Sequence, residues 1–283
     1  MTFFDELFAL VPKHPGRHAG SDDWSQRWSN LARAEVEYIF GEGAVPAPFG
    51  PFGVLDFPYR RMGTIDTLNL FGFDELIMFA FYHVNRGRYR KAVDFGANLG
   101  LHSVILARCG FEVRSFEPDP VHLALLKDNL VRNAVTADVR AAAVSYRDGE
   151  TEFVRVKGNT TGNHIKGAKA NPYGDLDIFK VTLEAAGPHL AWADFAKIDI
   201  EGHEATLLTH LPHDTWTTTD ALAEVGTKDN ALEIFEYFKD SKVNLFAQKA
   251  GWAKVKSPAD MPESHREGSL FISSKSAMPW LAD

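Results

Sequence analysis

Short apolar runs that suit β-strands alternate with helix-like segments from residue 91 onward, and this alternation constrains the fold more than any other feature. Five such runs lie at residues 91–96, 112–117, 137–144, 195–200 and 221–225. The helix-like segments cover residues 99–108 and 119–133, a stretch from about residue 203, and residues 229–239. Units of this kind build a mostly parallel sheet with right-handed crossovers, and ligands bind at the carboxyl ends of its strands. The sequence therefore predicts an α/β fold with its chemistry in the turns after these strands, and two more short strands, VNLFA and SLFISS, near the end of the chain.

The first 85 residues have a different texture and predict a helical extension. Their periodicity predicts helices over residues 2–10, 21–40 and 74–84, the second of them with Ser21 as its N-cap. The Pro- and Gly-rich stretch between residues 43 and 53 predicts a loop. We expect the chain to divide into this extension, residues 1–85, and a larger domain, residues 86–283. The extension is expected to pack against the sheet, with a lid or a contact in a homo-oligomer as the alternatives.

Charge and cysteine content exclude several classes of function. The formal net charge is −8 and no dense run of Lys and Arg exists, which argues against a nucleic-acid partner. Cys109 is the only cysteine and lies in an apolar stretch, so we expect an inert buried thiol, with no internal disulfide and no cysteine-based zinc site. No segment approaches the ~20 apolar residues of a membrane span. The N-terminus also lacks the basic start of a signal peptide, so we expect a cytoplasmic protein.

The turn after the first predicted strand is the first candidate site. It reads Asp94-Phe95-Gly96-Ala97-Asn98-Leu99-Gly100, and its glycines allow a tight turn and a close approach of the backbone to a ligand. Glu117 ends the next predicted strand, roughly 20 residues after this turn, where an acid can accept hydrogen bonds from both hydroxyls of a ribose. The pair predicts a site for a cofactor that contains adenosine. The alternative is that Asp94 caps the turn and that Glu117 is solvated.

The charges around this turn favour one class of adenosine cofactor. A dinucleotide carries a pyrophosphate, whose fingerprint G-x-G-x-x-G is absent from the turn. S-adenosylmethionine carries a sulfonium and an ammonium beside a carboxylate, and Asp94 would attract these positive charges but repel a pyrophosphate. The turn therefore favours S-adenosylmethionine over a nicotinamide cofactor. His102, in the first turn of the following helix, is a further candidate for the methionine end, with simple packing as the alternative.

Two carboxylates after a later strand form the second candidate site. Residues 197–204 read KIDIEGHE, in which Asp199 and Glu201 have the i, i+2 spacing that places side chains on one side of a strand. Such a pair can bind a substrate hydroxyl, remove its proton or hold a divalent cation. The alternative is that both acids cap the helix that follows and complement its dipole. For His203 and Glu204 we expect that structural role.

Two weaker candidates lie on the same rim of the predicted sheet. Glu224 ends the ALAEV strand, where it could join Asp199 and Glu201 around a divalent cation, although no metal is expected. The segment NTTGNHIK, residues 159–166, is polar and contains glycine. It is either a substrate loop or an ordinary surface loop.

These motifs, in this order, resemble those of FkbM-type methyltransferases. The matching segments are VDFGANLG, FEPDP, LLKDNL, VTLE, KIDIEGHEATLL and ALAEV, which span about residues 91–226, with a weaker match in LNLFGFDEL. The combination of FEPDP with KIDIEGHE is the specific part of the resemblance. The first 60 residues match no family.

The resemblance implies a class I methyltransferase fold, which is Rossmann-like, with a mostly parallel sheet of seven strands whose last strand, SLFISS, is antiparallel. It also implies O-methylation of a hydroxyl on a sugar or another natural product, so the partner is a small-molecule or glycan acceptor. The implied cofactor is S-adenosyl-L-methionine and the product S-adenosyl-L-homocysteine. The cofactor-binding residues implied by the resemblance are Asp94, Gly96, Ala97, Asn98, Gly100, His102, Glu117, Pro118, Ala143, Val144 and Asp199.

The expected chemistry is direct transfer of a methyl group from sulfur to oxygen, during which a side chain removes the hydroxyl proton. Asp199 is our first choice for that base and Glu201 the second. Two positions depart from the family pattern: Glu184 replaces a usual aspartate, and Gly226 stands where histidine is common, which signals a different acceptor pocket. Two other functions stay open, an NAD-dependent oxidoreductase or epimerase acting on sugars and a non-catalytic nucleotide-binding module. The first would need a Tyr-x-x-x-Lys pair, which is absent.

Overall fold

The computed structural model describes residues 1–169 and 174–280. Its strands are β1 (Ala47–Pro48), β2 (Val54–Leu55), β3 (Lys91–Phe95), β4 (Glu112–Phe116), β5 (Asp138–Arg140), β6 (Ala142–Ser145), β7 (Gly149–Val156), β8 (His164–Ile165), β9 (Leu176–Ala185), β10 (Phe195–Ile198), β11 (Asp220–Glu224), β12 (Asn244–Ala247), β13 (Ala253–Lys254) and β14 (Ser269–Ser273). Its α-helices are α1 (Phe3–Leu10), α2 (Asp23–Phe40), α3 (Phe73–Val84), α4 (Leu101–Arg108), α5 (Pro120–Arg132), α6 (Ala186–Leu190), α7 (Glu204–His210), α8 (Thr215–Thr218) and α9 (Lys228–Phe238).

The main sheet contains eight strands in the order β13-β12-β14-β11-β10-β3-β4-β5. The five strands from β11 to β5 are parallel, whereas β14 pairs antiparallel with both β11 and β12. The predicted α/β class is therefore confirmed, with the antiparallel SLFISS strand as β14. Seven strands match the prediction, and the two-residue strand β13 is an eighth strand at the edge of the sheet. The chain order reverses between β3 and β10, so the binding crevice of such a sheet is expected at their carboxyl ends.

Helices cover both faces of this sheet. Leu76 of α3, Val104 of α4 and Leu126 of α5 are fully buried on one face, in the same hydrophobic cluster as Phe4 and Leu7 of α1. A second cluster on the other face contains Leu190 of α6, Leu207 of α7 and Ile234 of α9. The N-terminal extension therefore packs into the layer that covers the sheet. Within the described residues, no helix combines the length and apolar character that a membrane crossing needs.

Helix ends follow their capping chemistry. Asp119 caps α5 by accepting a hydrogen bond from the N–H of Val121, and Pro120 occupies the first helical position, as predicted. Ser21 is not the N-cap of α2. Asp22 is, because its side chain accepts a hydrogen bond from the N–H of Trp24.

Two predictions for the middle of the chain are wrong. Residues 137–144 do not form one strand, because β5 ends at Arg140 in the main sheet and β6 begins at Ala142 in a second sheet, with the order β6-β9-β7-β8. The long strands β7 and β9 lie between the runs at 137–144 and 195–200, where the sequence pattern predicts no strand. Their residues are mostly polar and partly exposed, so they lack the apolar runs that mark the strands of the main sheet.

Candidate functional site

The glycine turn joins β3 to α4 at the point where the strand order reverses. Gly96 and Gly100 have φ angles of 78° and 83°, and Asn98 also lies in the left-handed region, at 52°. A Cβ on Gly96 would overlap with the carbonyl oxygen of Asp199, at the end of β10. Only glycine combines a positive φ with the lack of a Cβ that position 96 requires. Its missing side chain lets the turn lie directly against the segment that carries Asp199 and Glu201.

Glu117 lies beside this turn and is only 4% exposed. Its Oε2 accepts a hydrogen bond of 2.8 Å from the N–H of Asn98, and its Oε1 accepts one of 2.8 Å from the N–H of Asp119. Burial raises the pKa of Glu117 to about 8. The solvated alternative for Glu117 is therefore excluded, and the carboxylate retains lone pairs for a ligand in the cavity that it lines.

A cavity of about 530 Å³, here called the first cavity, opens beside Glu117 at the carboxyl ends of the strands. Gly96 and Asn98 form part of its wall, and the buried Oδ1 of Asn98 has no hydrogen-bond partner among the described residues. Its apolar lining is Phe116, Pro118, Ala143, Val144, Phe153 and Ile165. The predicted residues Gly96, Asn98, Glu117, Pro118, Ala143, Val144 and Asp199 therefore lie together around one cavity.

A second cavity, of about 1440 Å³, adjoins the first. The two share Asn98, Thr161, Asp199 and Glu201 in their walls. The N-terminal extension supplies one side of the second cavity through Ile65, Asn69, Leu70, Asp74, Glu75 and Met78. The carboxylates of Asp199 and Glu201 thus lie where the two cavities meet.

Asp199 has a buried cationic partner. Nζ of Lys197 lies 3.3 Å from Oδ2 of Asp199 and 3.6 Å from Oδ1 of Asp94, and it donates a hydrogen bond of 3.1 Å to the carbonyl oxygen of Gly96. Burial alone would lower the pKa of Lys197, but Asp199 and Asp94 raise it above its ordinary value. Lys197 therefore stays charged and holds both acids and the glycine turn together.

Glu201 has a different environment. Its backbone is left-handed, with a φ of 55°, and its carboxylate pairs with Lys169 at the edge of the second cavity. Burial, followed by the charge of Asp199, raises the pKa of Glu201 to about 8. Glu201 therefore changes its charge near neutral pH.

The two residues after Gly202 have structural roles, as expected. Glu204 is 1% exposed, and its carboxylate accepts hydrogen bonds from the N–H groups of Ile200 and Gly202 at 2.9 and 3.0 Å. Nε2 of His203 lies 2.9 Å from Oγ of Ser145, away from both cavities. These bonds fix the turn that carries Glu201.

Asp94 does not line either cavity, contrary to the expected direct contact with the cofactor. It has no exposed surface, and its Oδ2 accepts a hydrogen bond of 2.6 Å from Oγ of Ser103 in α4. The side chain of this strand residue points beneath the turn, toward the helix layer. Lys197, which contacts both acids, links it to Asp199 at the cavity wall.

Three other predicted cofactor residues also lie outside the cavity walls. His102 is held between Tyr82, whose hydroxyl oxygen is 3.0 Å from Nδ1, and Glu75, whose Oε2 is 2.9 Å from Nε2. Ala97 is buried, and a Cβ on Gly100 would lie 2.9 Å from Cγ of Leu126. Ala97 and Gly100 shape the turn, and His102 contacts Glu75 of the extension.

The sequence did not reveal what covers the first cavity. Thr160, Thr161, Asn163 and Ile165, from the polar segment 159–166, line it from the side of the small sheet. Arg155 of β7 anchors that sheet by donating two hydrogen bonds of 2.6 Å to the carboxylate of Asp119. The polar segment therefore faces the cavities, as the substrate-loop alternative requires.

The extension is hydrogen-bonded to the same segment. The N–H of Thr64 donates to the carbonyl oxygen of Gly158 at 2.7 Å, and the N–H of Thr160 donates to that of Met62 at 3.2 Å. The extension and the small sheet thus form a continuous wall around both cavities.

The cation alternative gains no support. Over residues 1–169 and 174–280, no three or more His, Cys, Asp and Glu side chains are grouped so that they could hold a metal ion. Glu224 lines the second cavity with Asp199 and Glu201, but the three do not form such a group.

Comparisons with known proteins give distant structural similarity. No family model and no curated protein matches this chain. The O-methyltransferase from Bacillus cereus in complex with SAH is 11% identical over 69% of this chain and 78% of its own, with a TM-score of 0.38. The precorrin-6y C5,15-methyltransferase from Geobacter metallireducens is 11% identical over 67% and 82%, with a TM-score of 0.35. A putative O-methyltransferase from Klebsiella pneumoniae is 10% identical over 69% and 77%, with a TM-score of 0.36.

Proposed function

We propose that this protein is an S-adenosylmethionine-dependent methyltransferase that methylates a hydroxyl of a small-molecule acceptor, such as a sugar or another natural product. The observation that carries the proposal is the position of Asp199 and Glu201, which line both a cavity suited to adenosine and a larger cavity next to it. Two reactants held in these cavities would meet at the acids. Positioning of this kind can supply ~7–11 kcal/mol of a reaction barrier.

The first cavity has the groups that an adenosyl cofactor needs. Glu117 would accept hydrogen bonds from the ribose hydroxyls, and the apolar surface of Val144 and Phe153 would contact the adenine ring. The unpartnered Oδ1 of Asn98 would accept a hydrogen bond from the ammonium group. When bound, S-adenosylmethionine supplies an electrophilic methyl group on its sulfonium.

The charge of the first cavity separates this proposal from the dinucleotide alternative. Glu117, Asp199 and Glu201 line the cavity, and no Lys or Arg does so in the described part of the chain. Acidic side chains without a lining cation disfavour a pyrophosphate and suit a sulfonium, whose positive charge would in turn favour the ionised forms of Glu117 and Glu201. The cavity therefore favours methyl transfer over hydride transfer.

We propose Glu201 as the base that removes the proton of the acceptor hydroxyl. Its raised pKa places it near the operating pH, where a general base is most effective. Asp199 contacts the buried ammonium group of Lys197, which holds its carboxylate in place, so we assign to it the positioning of the reactants. This order reverses the ranking from the sequence, because strand spacing alone does not show which acid Lys197 contacts.

The FkbM-type assignment and the division of the chain are parts of the same proposal. The motifs VDFGANLG, FEPDP and KIDIEGHE all contribute residues to the first cavity. The extension, residues 1–85, contributes only to the second cavity. We therefore propose that residues 86–283 form the methyltransferase domain and that the extension helps to select the acceptor.

Cofactor binding and methyl transfer test the proposal together. S-adenosylhomocysteine should raise the Tm in a thermal-shift titration, whereas NAD should not. Incubation with S-adenosylmethionine labelled in its methyl group should then transfer the label to members of a panel of hydroxylated acceptors. A rise in Tm with NAD alone would favour the oxidoreductase. Binding of S-adenosylhomocysteine without transfer to any acceptor would favour a non-catalytic module.

A further inference from the structure

The second cavity is lined by more acidic side chains than a neutral hydroxyl acceptor requires. Its lining includes the five carboxylates Asp74, Glu75, Asp199, Glu201 and Glu224, and Lys169 is the one Lys or Arg in its described wall. Asp199 and Glu201 also border the first cavity, so they can face the positive charge of the cofactor. Asp74, Glu75 and Glu224 face the second cavity alone.

Of these three acids, Glu224 lacks a partner. Nε2 of Gln248 donates a hydrogen bond of 2.7 Å to Oδ1 of Asp74, and Nε2 of His102 lies 2.9 Å from Oε2 of Glu75. The carboxyl group of Glu224 has no hydrogen bond or ion pair with any residue that the structure describes. Its carboxyl group is therefore available to a ligand.

Glu224 lies beside the acids at which the two reactants are proposed to meet. It ends β11, and Ala223 is in register with Ile198 of the neighbouring strand β10, which Asp199 follows. Neighbouring strands are ~4.8 Å apart, so the side chains of Glu224 and Asp199 emerge side by side at the edge of the sheet. A group bound to Glu224 would lie only a few bonds from a hydroxyl at Asp199 and Glu201.

On the basis of the proposed function, we propose that the acceptor is a cationic amino alcohol, such as an amino sugar, whose ammonium group binds Glu224 while a nearby hydroxyl is methylated. Asp74 and Glu75 add two further acids to the wall that the extension supplies, and they favour the same positive charge. Ile65, Leu70 and Met78 provide apolar surface for the carbon skeleton. Burial, followed by the charge of Asp199, raises the pKa of Glu224, and a bound ammonium group would offset both effects and keep its carboxyl group ionised.

Calorimetry with matched probes tests this inference on protein saturated with S-adenosylhomocysteine. The probes are methyl glucosaminide and neamine, each compared with its N-acetylated form, and methyl glucoside as the hydroxyl analogue. The ammonium forms should bind at least ~10-fold more tightly than their neutral counterparts. The neutral forms cannot make the charge-assisted hydrogen bond that an ammonium group makes with Glu224 in this partly buried site. Glu224→Gln should remove this preference. Glu112→Gln, at the exposed opposite end of the sheet, should retain it.

Each contrary outcome is informative. Equal or tighter binding of the neutral probes would overturn the inference, as would the absence of binding by every ammonium probe at millimolar concentration. An unchanged preference in Glu224→Gln would also overturn it. The comparison within the wild-type protein remains valid even where that variant does not fold. Failure to bind S-adenosylhomocysteine at the first step would instead contradict the proposed function, so the two failures are distinguishable.

Discussion

The backbone N–H of Asn98 donates a hydrogen bond of 2.8 Å to Oε2 of Glu117. This bond joins the glycine turn after β3 to the acid that follows β4, so two elements of the proposed adenosine site are fixed to each other within the protein itself. The N–H of Asp119 fixes the other oxygen of Glu117 in the same way. A site that is organised in advance loses less conformational freedom when a ligand binds.

Gly96→Ala tests the contact between the turn and β10. The new Cβ would overlap with the carbonyl oxygen of Asp199 at a φ of 78°, so we expect a loss of ~3 kcal/mol or more in the free energy of unfolding. Gly110→Ala is the matched control, because its φ is 89° but no atom lies within 4 Å of the added Cβ. It should cost only ~1–2 kcal/mol. Urea denaturation measures both values, and equal losses would show that the contact with Asp199 is unimportant.

Asp119→Asn tests the attachment of the small sheet. The side chain of Asp119 is 1% exposed and pairs with Arg155, which is 21% exposed, at 2.6 Å. We expect a loss of ~2–3 kcal/mol in the free energy of unfolding, at the low end for a broken buried pair because Arg155 is partly solvated. Asp138→Asn removes the exposed pair with Arg140 and should cost less than ~1 kcal/mol. Similar losses in the two variants would contradict the anchoring role of Asp119.

The pH dependence of turnover tests Glu201 as the base. Because its pKa is raised to about 8 and the base is active when deprotonated, turnover should rise as the pH increases through this value. Glu201→Gln should lower turnover by ~10²–10⁴-fold and remove the step in the pH profile. Asp199→Asn should lower turnover but keep the step. A step that persists in Glu201→Gln would assign the proton transfer to another group.

The parts of the fold that follow from local sequence signals could be predicted. The residues of β3 are buried from Ala92 to Phe95, as in a central parallel strand, and they read as a short apolar run. The glycines of the following turn and the acid after β4 have positions that the α/β architecture itself dictates. These signals are sufficient to predict the main sheet and most of the residues that line the first cavity.

The remaining features depend on contacts between distant parts of the chain. Arg155 and Asp119 are 36 residues apart, and nothing in the polar sequence of β7 indicates that they pair. The direction of the Asp94 side chain follows from α4, which supplies Ser103 as its partner. Glu75 reaches the second cavity because the extension packs beside the sheet, which no spacing pattern reveals.

Binding of S-adenosylhomocysteine to the wild-type protein and to Glu117→Gln is the most direct test of the adenosine site. Loss of the charged acceptor for the ribose hydroxyls should weaken binding by ~10–100-fold in isothermal titration calorimetry. Glu112→Gln, which changes an exposed acid at the far end of β4, should bind like the wild type. A Glu117→Gln variant that binds S-adenosylhomocysteine as tightly as the wild type, or a wild type that does not bind it, would contradict the account.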